Sequence, residues 1–389
     1  VVTLLIRKTI AAIVLVSVFS FVCYAAEPSV SAECAVLMCA QTGEVLYARN
    51  AFKKHSMAST TKIMTALLAL EAGCPEKEIK VTKEMVSIEG TSMGLLEGDS
   101  VTLLSLVYGM LLESGNDAAN TVAYTLAGNP KKFSKLMNKR AAKIGMKNTN
   151  FVTPSGLDNK EHYSTAYDMA LLGCEALKNV EFRNVCSKPN VRISYGNPPY
   201  MRTLSNHNRL LYSYEGCIGI KTGFTKKSGR CLASAAERDG ITLVAVTLNA
   251  KSDWKDHKKM LDYGFSFVNQ VEPYVNLHDI RLKVVGGQKS TVSVRYSSDI
   301  STVKTVSDKD RIVEKVFIKH FEYAPVEEGD VIGSIKYFVD NNVIKEAAIV
   351  ASESVQAVID ESAKKESDDK SHGFLDKIIR RIKEFFRRG

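Results

Sequence analysis

The sequence predicts an α+β domain, then a small all-β domain, then a C-terminal amphipathic helix. Three observations carry this. Strand-like segments at both ends of residues 33–268 bracket a largely helical middle, which requires one sheet completed by distant segments. From Val271 the chain changes to short β-like runs separated by Gly- and Asn-containing turns. Between Phe374 and Phe386 apolar residues recur at helical spacing, with Lys and Arg opposite.

The elements follow in order. Residues 1–26 read as a secretory signal, with Arg7-Lys8, an apolar run from Ile10 to Val22, and small residues at Ala25 and Ala26. An uncleaved anchor is the competing reading. Residues 33–50 read as strand, turn and strand. A helix over 58–72 has apolar residues at 63, 64, 67, 68 and 70, and Gly73 and Pro75 stop it. Val101 to Leu112 is a second helix, with Ser100 as its N-cap. A third, Ala118 to Leu126, ends at Gly128 and Pro130, and a fourth runs from Phe133 to Ile144. Residues 146–165 read as loop and Thr165 to Leu177 as helix. Arg202 to Leu211 is polar and turn-rich. Lys221 lies on a strand, Arg230 to Ala236 and Ile241 to Leu248 are strands, and Trp254 to Val268 is a closing helix. The expected domains are 27–270 and 271–352, with 353–389 as linker and anchor helix.

Charge and composition exclude some classes. Of the formal net charge of +9, Arg7, Lys8 and the basic tail 370–389 hold most, so the body is nearly neutral and no nucleic-acid partner is expected. Residues 374–388 suit a membrane surface rather than a span, because charges interrupt every turn; packing on a partner is the competing reading. The eight cysteines include no Cys-x-x-Cys, and the seven histidines include no His-Glu-x-x-His, so no metal and no cofactor are expected. The mature cysteines read as mostly free and buried, with a single bridge such as Cys34–Cys39 left open.

One stretch suggests chemistry. Ser59 and Lys62 stand three residues apart at a helix start, so they share a face and an amine can reach the hydroxyl. A desolvated lysine loses pKa and can act as a base, and a helix N-terminus favours an oxyanion. Alone, the pair more readily describes an N-cap serine beside a solvated lysine. Ser114-Gly115-Asn116, between two helices, and Lys221-Thr222-Gly223, on a strand, follow in order.

These three triplets resemble the S-x-x-K, S-x-N and K-T-G motifs of serine penicillin-recognising enzymes. With Gly90 to Met93, Gly98, Leu112, Ser155-Gly156-Leu157-Asp158, Tyr163 to Met169 and Asn206-x-Asn208, residues 30–270 resemble the low-molecular-mass D-alanyl-D-alanine carboxypeptidases. That resemblance implies a β-lactamase/transpeptidase-like catalytic domain, an antiparallel sheet with helical regions. It implies removal of the terminal D-alanine from peptidoglycan pentapeptide stems at the outer face of the cytoplasmic membrane, with β-lactams as inhibitors. Ser59 would be the nucleophile, Lys62 its base and Ser114 a proton relay, unless Ser114 only caps the next helix. Asn116 would bond the substrate amide, or else serve a turn. Lys221 and Thr222 would bind the terminal carboxylate, and Gly223 would let substrate approach the strand. The backbone N–H groups of Ser59 and Phe224 would form the oxyanion hole. Some relatives carry His where Phe224 stands, which bears on pH behaviour. A class A β-lactamase would need a Glu-x-x-Leu-Asn pattern, which Glu175 to Asn179 only approaches. The same residues could also serve an endopeptidase acting on cross-links, and a peptidoglycan-binding scaffold is the non-enzymatic reading.

Overall fold

The structure, a computed structural model, describes residues 27–271, 277–297, 303–305 and 311–358. The expected signal (1–26) and amphipathic helix (374–388) lie outside the described residues. The chain divides into two compact units: the first runs to Asn269 and also takes in Lys304–Asp308, and the second holds Gln270–Val303 and the chain from Lys309.

The first unit opens with β1 (Cys34–Cys39) and β2 (Val45–Arg49). A 3-10 turn, Ala58–Thr61, runs straight into α1 (Lys62–Glu71). Then come β3 (Glu78–Lys80), β4 (Ser100–Thr102), α2 (Leu103–Leu111), α3 (Asn116–Ala127) and α4 (Pro130–Ile144). They are followed by α5 (Ala166–Leu177), α6 (Val180–Cys186), β5 (Asn190–Gly196) and β6 (Pro199–Ser205). The unit closes with β7 (Cys217–Thr225), β8 (Gly229–Arg238), β9 (Ile241–Ala250) and α7 (Asp253–Phe265).

The main sheet has five strands in the order β2-β1-β9-β8-β7, all antiparallel. Strand β1 is buried along its whole length. Its alternation sends Cys34, Val36 and Met38 into one core and Ala35, Leu37 and Cys39 into another. The first core takes in α1 to α6, and the second is closed by Met260 and Leu261 of α7. The sheet is thus a middle layer between helices. Cys34 and Cys39 face opposite ways, so no bridge joins them; all seven described cysteines are free.

Several boundaries differ from expectation. Thr102, not Ser100, caps α2, accepting from Ser105 N at 3.1 Å, because Ser100 pairs with Gly196 in a second sheet. That sheet, β3-β4-β5-β6, departs from the expected turn-rich segment: β5 alternates Val191, Ile193 and Tyr195, half-buried to buried, with the exposed Asn190, Arg192 and Ser194, while β6 is mostly exposed and β3 and β4 have only three residues each. Gly128 ends α3 in the left-handed region (φ 78°), whereas Pro130 opens α4 instead of ending α3.

The second unit is all β. Its six-stranded sheet runs Ile312–Ile318, Val331–Val339, Asn342–Ala351, Thr291–Tyr296, Arg281–Val285, Phe321–Tyr323, and the last pair is parallel. Val355, expected in a linker, is buried in this core and pairs with Val326.

Candidate active site

Ser59 sits in the 3-10 turn and its side chain caps neither that turn nor α1. Lys62, the first residue of α1, is fully buried. Its Nζ lies 3.0 Å from Ser59 Oγ, 2.7 Å from Asn116 Oδ1 and 2.8 Å from the Ser155 carbonyl. The capping serine beside a solvated lysine is therefore ruled out. Ala58, just before Ser59, has φ 48°, a left-handed conformation unusual for a residue with a Cβ. Its surroundings hold it there. A Cβ on Gly156 would lie 1.9 Å from the Ala58 carbonyl oxygen, so only glycine lets that loop close on the turn.

The proton state of Lys62 follows from its neighbours. Burial, together with the positive charge of Lys221, pushes its amine well below the usual lysine value; Asp117 opposes this. The Asn116 amide is oriented by its Nδ2, which donates to the Glu89 carbonyl at 2.7 Å, so its Oδ1 can only accept. The Ser155 carbonyl also only accepts. A neutral amine therefore directs its two hydrogens at these oxygens, and its lone pair is left to the Ser59 hydroxyl. That is the geometry of a general base on a nucleophile.

Ser114 and Asn116 come from the junction of α2 and α3. Ser114 is buried, has φ 62°, and does not cap α3, whose N-cap is Gly115 without a side-chain bond. Its carbonyl accepts from Thr91 Oγ1 at 2.6 Å. Among the described residues Ser114 Oγ makes no hydrogen bond to either lysine; it lines the same cleft as Ser59. The Asn116 oxygen is committed to Lys62, and only the second N–H of its amide is left for a substrate.

Asp117 supports the site although no motif singles it out. Its carboxylate accepts from Met93 N (3.0 Å), Leu95 N (3.0 Å), Ala118 N (2.9 Å) and Ser92 Oγ (2.5 Å), which folds residues 92–95 against the site. His162 is equally silent in the sequence. Its Nδ1 accepts from Val152 N at 2.9 Å, so Nε2 carries the hydrogen that Thr61 Oγ1 accepts at 2.8 Å. Burial lowers this imidazole to about 4 and keeps it neutral. Only tertiary contacts reveal either role.

Strand β7 brings Lys221 to Phe224 alongside the turn. Lys221 is buried, donates to the Thr222 carbonyl at 3.0 Å, and is lowered by burial to about 7, with Glu113 opposing the shift. Gly223 has a reason of its own in the fold. A Cβ there would lie 3.0 Å from the backbone nitrogens of Ser59 and Thr60, so glycine lets β7 press against the turn itself. Phe224 is 65% exposed on the cleft rim. Beyond Ser59, Ser114, Asn116 and Thr222 to Phe224, the cleft of about 970 Å³ is walled by Leu157, His207, Arg209, Arg230, Lys251 and Trp254. Glu175, the nearest approach to a β-lactamase base, is absent from that wall and bonds Arg140 at 2.7 Å and Lys178 at 2.9 Å.

A serine with a buried amine base, beside a second buried lysine in a cationic cleft, defines a serine acyl-transfer enzyme. Comparison with known proteins gives the family. A model described as D-alanyl-D-alanine carboxypeptidase matches residues 22–252, and one described as the penicillin-binding protein 5 C-terminal domain matches residues 280–357. The D-alanyl-D-alanine carboxypeptidase DacF of Bacillus subtilis is 31% identical over 84% of this chain and 86% of its own. DacC of Escherichia coli is 32% identical over 85% of each. The solved penicillin-binding protein 5 of Haemophilus influenzae aligns with a TM-score of 0.59 and 26% identity, covering 85% of this chain and 98% of its own. The chain belongs to the serine D-alanyl-D-alanine carboxypeptidase family and is a penicillin-binding type of hydrolase.

Proposed function

We propose that Ser59 attacks the carbonyl between the last two D-alanines of a peptidoglycan stem while Lys62 takes its proton. The Ser59 Oγ–carbon bond forms and the carbon–nitrogen bond breaks. The proton passes through Ser114 to the leaving amine, D-alanine departs, and water then cleaves the ester. Lys221, in its protonated form, and Thr222 bind the terminal carboxylate. The backbone N–H groups of Ser59 and Phe224, brought together by Gly223, stabilise the oxyanion. Asn116 holds Lys62 and offers one N–H to the substrate amide. One observation carries this reading: the buried Lys62 amine faces two acceptor-only oxygens and the Ser59 hydroxyl.

Among the described residues the one carboxylate on the cleft wall is Asp253, which lies 4.0 Å from Arg230. No carboxylate base of the β-lactamase kind is therefore available to speed deacylation, and a penicilloyl ester on Ser59 turns over too slowly to destroy the drug, so β-lactams inhibit this enzyme. The protein acts outside the cytoplasmic membrane, exported by residues 1–26 and held at the surface by residues 374–388. Among the described residues no helix is long and apolar enough to cross a membrane.

The test is labelling with a fluorescent penicillin, wild type beside Ser59→Ala, with release of D-alanine from a pentapeptide. A lasting adduct on Ser59 and free D-alanine are expected. An adduct without D-alanine would turn the reading to an endopeptidase, and rapid turnover of penicillin to a β-lactamase. Deleting residues 370–389 is expected to abolish sedimentation with anionic vesicles; unchanged sedimentation would reject the anchor.

A further inference from the structure

Glu113 stands immediately before Ser114, and neither the motifs nor the mechanism uses it. Its carboxylate joins two parts of the site and acts on a third through its charge. Oε1 accepts from the backbone N–H of Ser205 at 2.6 Å. Ser205 ends β6, the edge strand of its sheet, where an outward N–H has no strand neighbour to bond. Oε2 lies 3.6 Å from Nε2 of His207, a half-exposed residue of the cleft wall. The third part is Lys221, toward which Glu113 is the opposing negative charge.

The turn that Glu113 grips is rigid. Asn206 Nδ2 donates to the carbonyls of Cys186 and Lys188, both at 3.1 Å, and its Oδ1 accepts from Asn208 N at 2.9 Å. Asn208 Oδ1 accepts in turn from Leu210 N at 3.1 Å. Glu113 therefore fastens the Ser114 loop to a fixed frame, and a carboxylate on the residue next to the motif has little slack.

We propose that Glu113 is a positioning residue: its carboxylate clamps the Ser114 loop to the 205–209 turn and keeps a negative charge beside His207 at the site. This rests on the catalytic reading above, in which Lys221 works in its cationic form. The charged groups around Lys221 are Glu113 from the α2–α3 junction, Lys62 from α1 and His207 from the turn. Two of these three are or become cations, so Glu113 is the one of the three whose charge favours the ammonium form of Lys221. Burial and Lys221 depress the His207 imidazole, while Glu113 opposes them. His207 is then neutral above its ordinary range and leaves Glu113 to Lys221; when protonated in acid it draws on the same carboxylate.

Two variants separate the clamp from the charge. Glu113→Gln keeps an oxygen for Ser205 N and loses the charge. Glu113→Asp keeps the charge on a side chain too short for the same reach. The readouts are the rate of Ser59 acylation by fluorescent penicillin, and kcat and KM for D-alanine release, each from about pH 5.5 to 9.5. Removing the charge lowers Lys221 further, so the alkaline limb of kcat/KM in Glu113→Gln moves to lower pH, by on the order of half a unit or more. In Glu113→Asp the limb stays with the wild type, while KM rises roughly threefold or more as the loop loosens. An active wild type whose pH profile superimposes on that of Glu113→Gln would overturn the proposal alone. So would an Asp variant whose limb moves as far as that of Gln. A wild type that neither takes label on Ser59 nor releases D-alanine would instead sink the catalytic reading, and this proposal with it.

Discussion

Replacing Asn116 by Asp tests the proton argument with almost no change of shape. Asn116 Oδ1 sits 2.7 Å from Lys62 Nζ. A carboxylate at that distance favours the ammonium form, and an opposite charge this close shifts a lysine by about 1–3 units. Lys62 would then hold its proton to higher pH, and its free-base fraction at a given pH would fall, by up to a factor of about 10 to 1,000. The change also turns the Nδ2 that donates to the Glu89 carbonyl into an acceptor, at a cost of about 1–3 kcal/mol. The variant should therefore still fold, with a lowered melting temperature. The assay is the second-order rate of acylation by a fluorescent penicillin across pH. Acylation should fall at least about tenfold on the acid side of the profile, and what remains should have its optimum displaced to more alkaline pH. A rate within about twofold of wild type at every pH, or an equal loss at every pH, would refute the assignment of Lys62 as a neutral base.

Three further outcomes follow from the same geometry. Gly156→Ala places a Cβ 1.9 Å from the Ala58 carbonyl at a residue with φ 90°, so it should move the Ser59 turn and lower acylation by about a hundredfold or more, read by labelling. Asp117→Asn sets an amide N–H against backbone donors from Met93 or Leu95, and should destabilise the protein by about 2–4 kcal/mol in urea. His257 is buried between Ser234 and Thr247 and is lowered by burial from 6.5 to about 3. The unfolded chain binds its proton near 6.5 and the folded chain does not, so stability falls as pH drops through this window, by on the order of 3–5 kcal/mol. His257→Gln should flatten the melting temperature across that range; an unchanged acid slope would reject the neutral buried imidazole.

Some of this protein is legible without coordinates because it is written locally. The spacing of Ser59 and Lys62 is a helical neighbour relation, the apolar runs of β1 and β9 mark buried strands, and Gly128 and Gly145 announce helix ends where φ turns positive. The order of the three motifs is enough for the family and its reaction. Strands β3 and β4 are not legible, because three residues are too few to show a period and they are held by sheet partners; β5 and β6 form a local hairpin, and the alternation of Val191, Ile193 and Tyr195 is the signal that would have found it.

What the tertiary structure alone decided is the state of the charged groups and the reason for two of the glycines. Whether Lys62 is a base depends on burial, on Lys221 from a strand far along the chain, and on two oxygens from other segments that accept its hydrogens. Asp117, His162 and Glu113 bond partners that no local rule links to them. Gly156 and Gly223 look like turn and strand residues in sequence, yet each is set by the backbone of the Ser59 turn pressing where a Cβ would stand. Local spacing names the reacting groups; their protonation and alignment come from contacts between distant segments, because electrostatics and packing act through space and not along the chain.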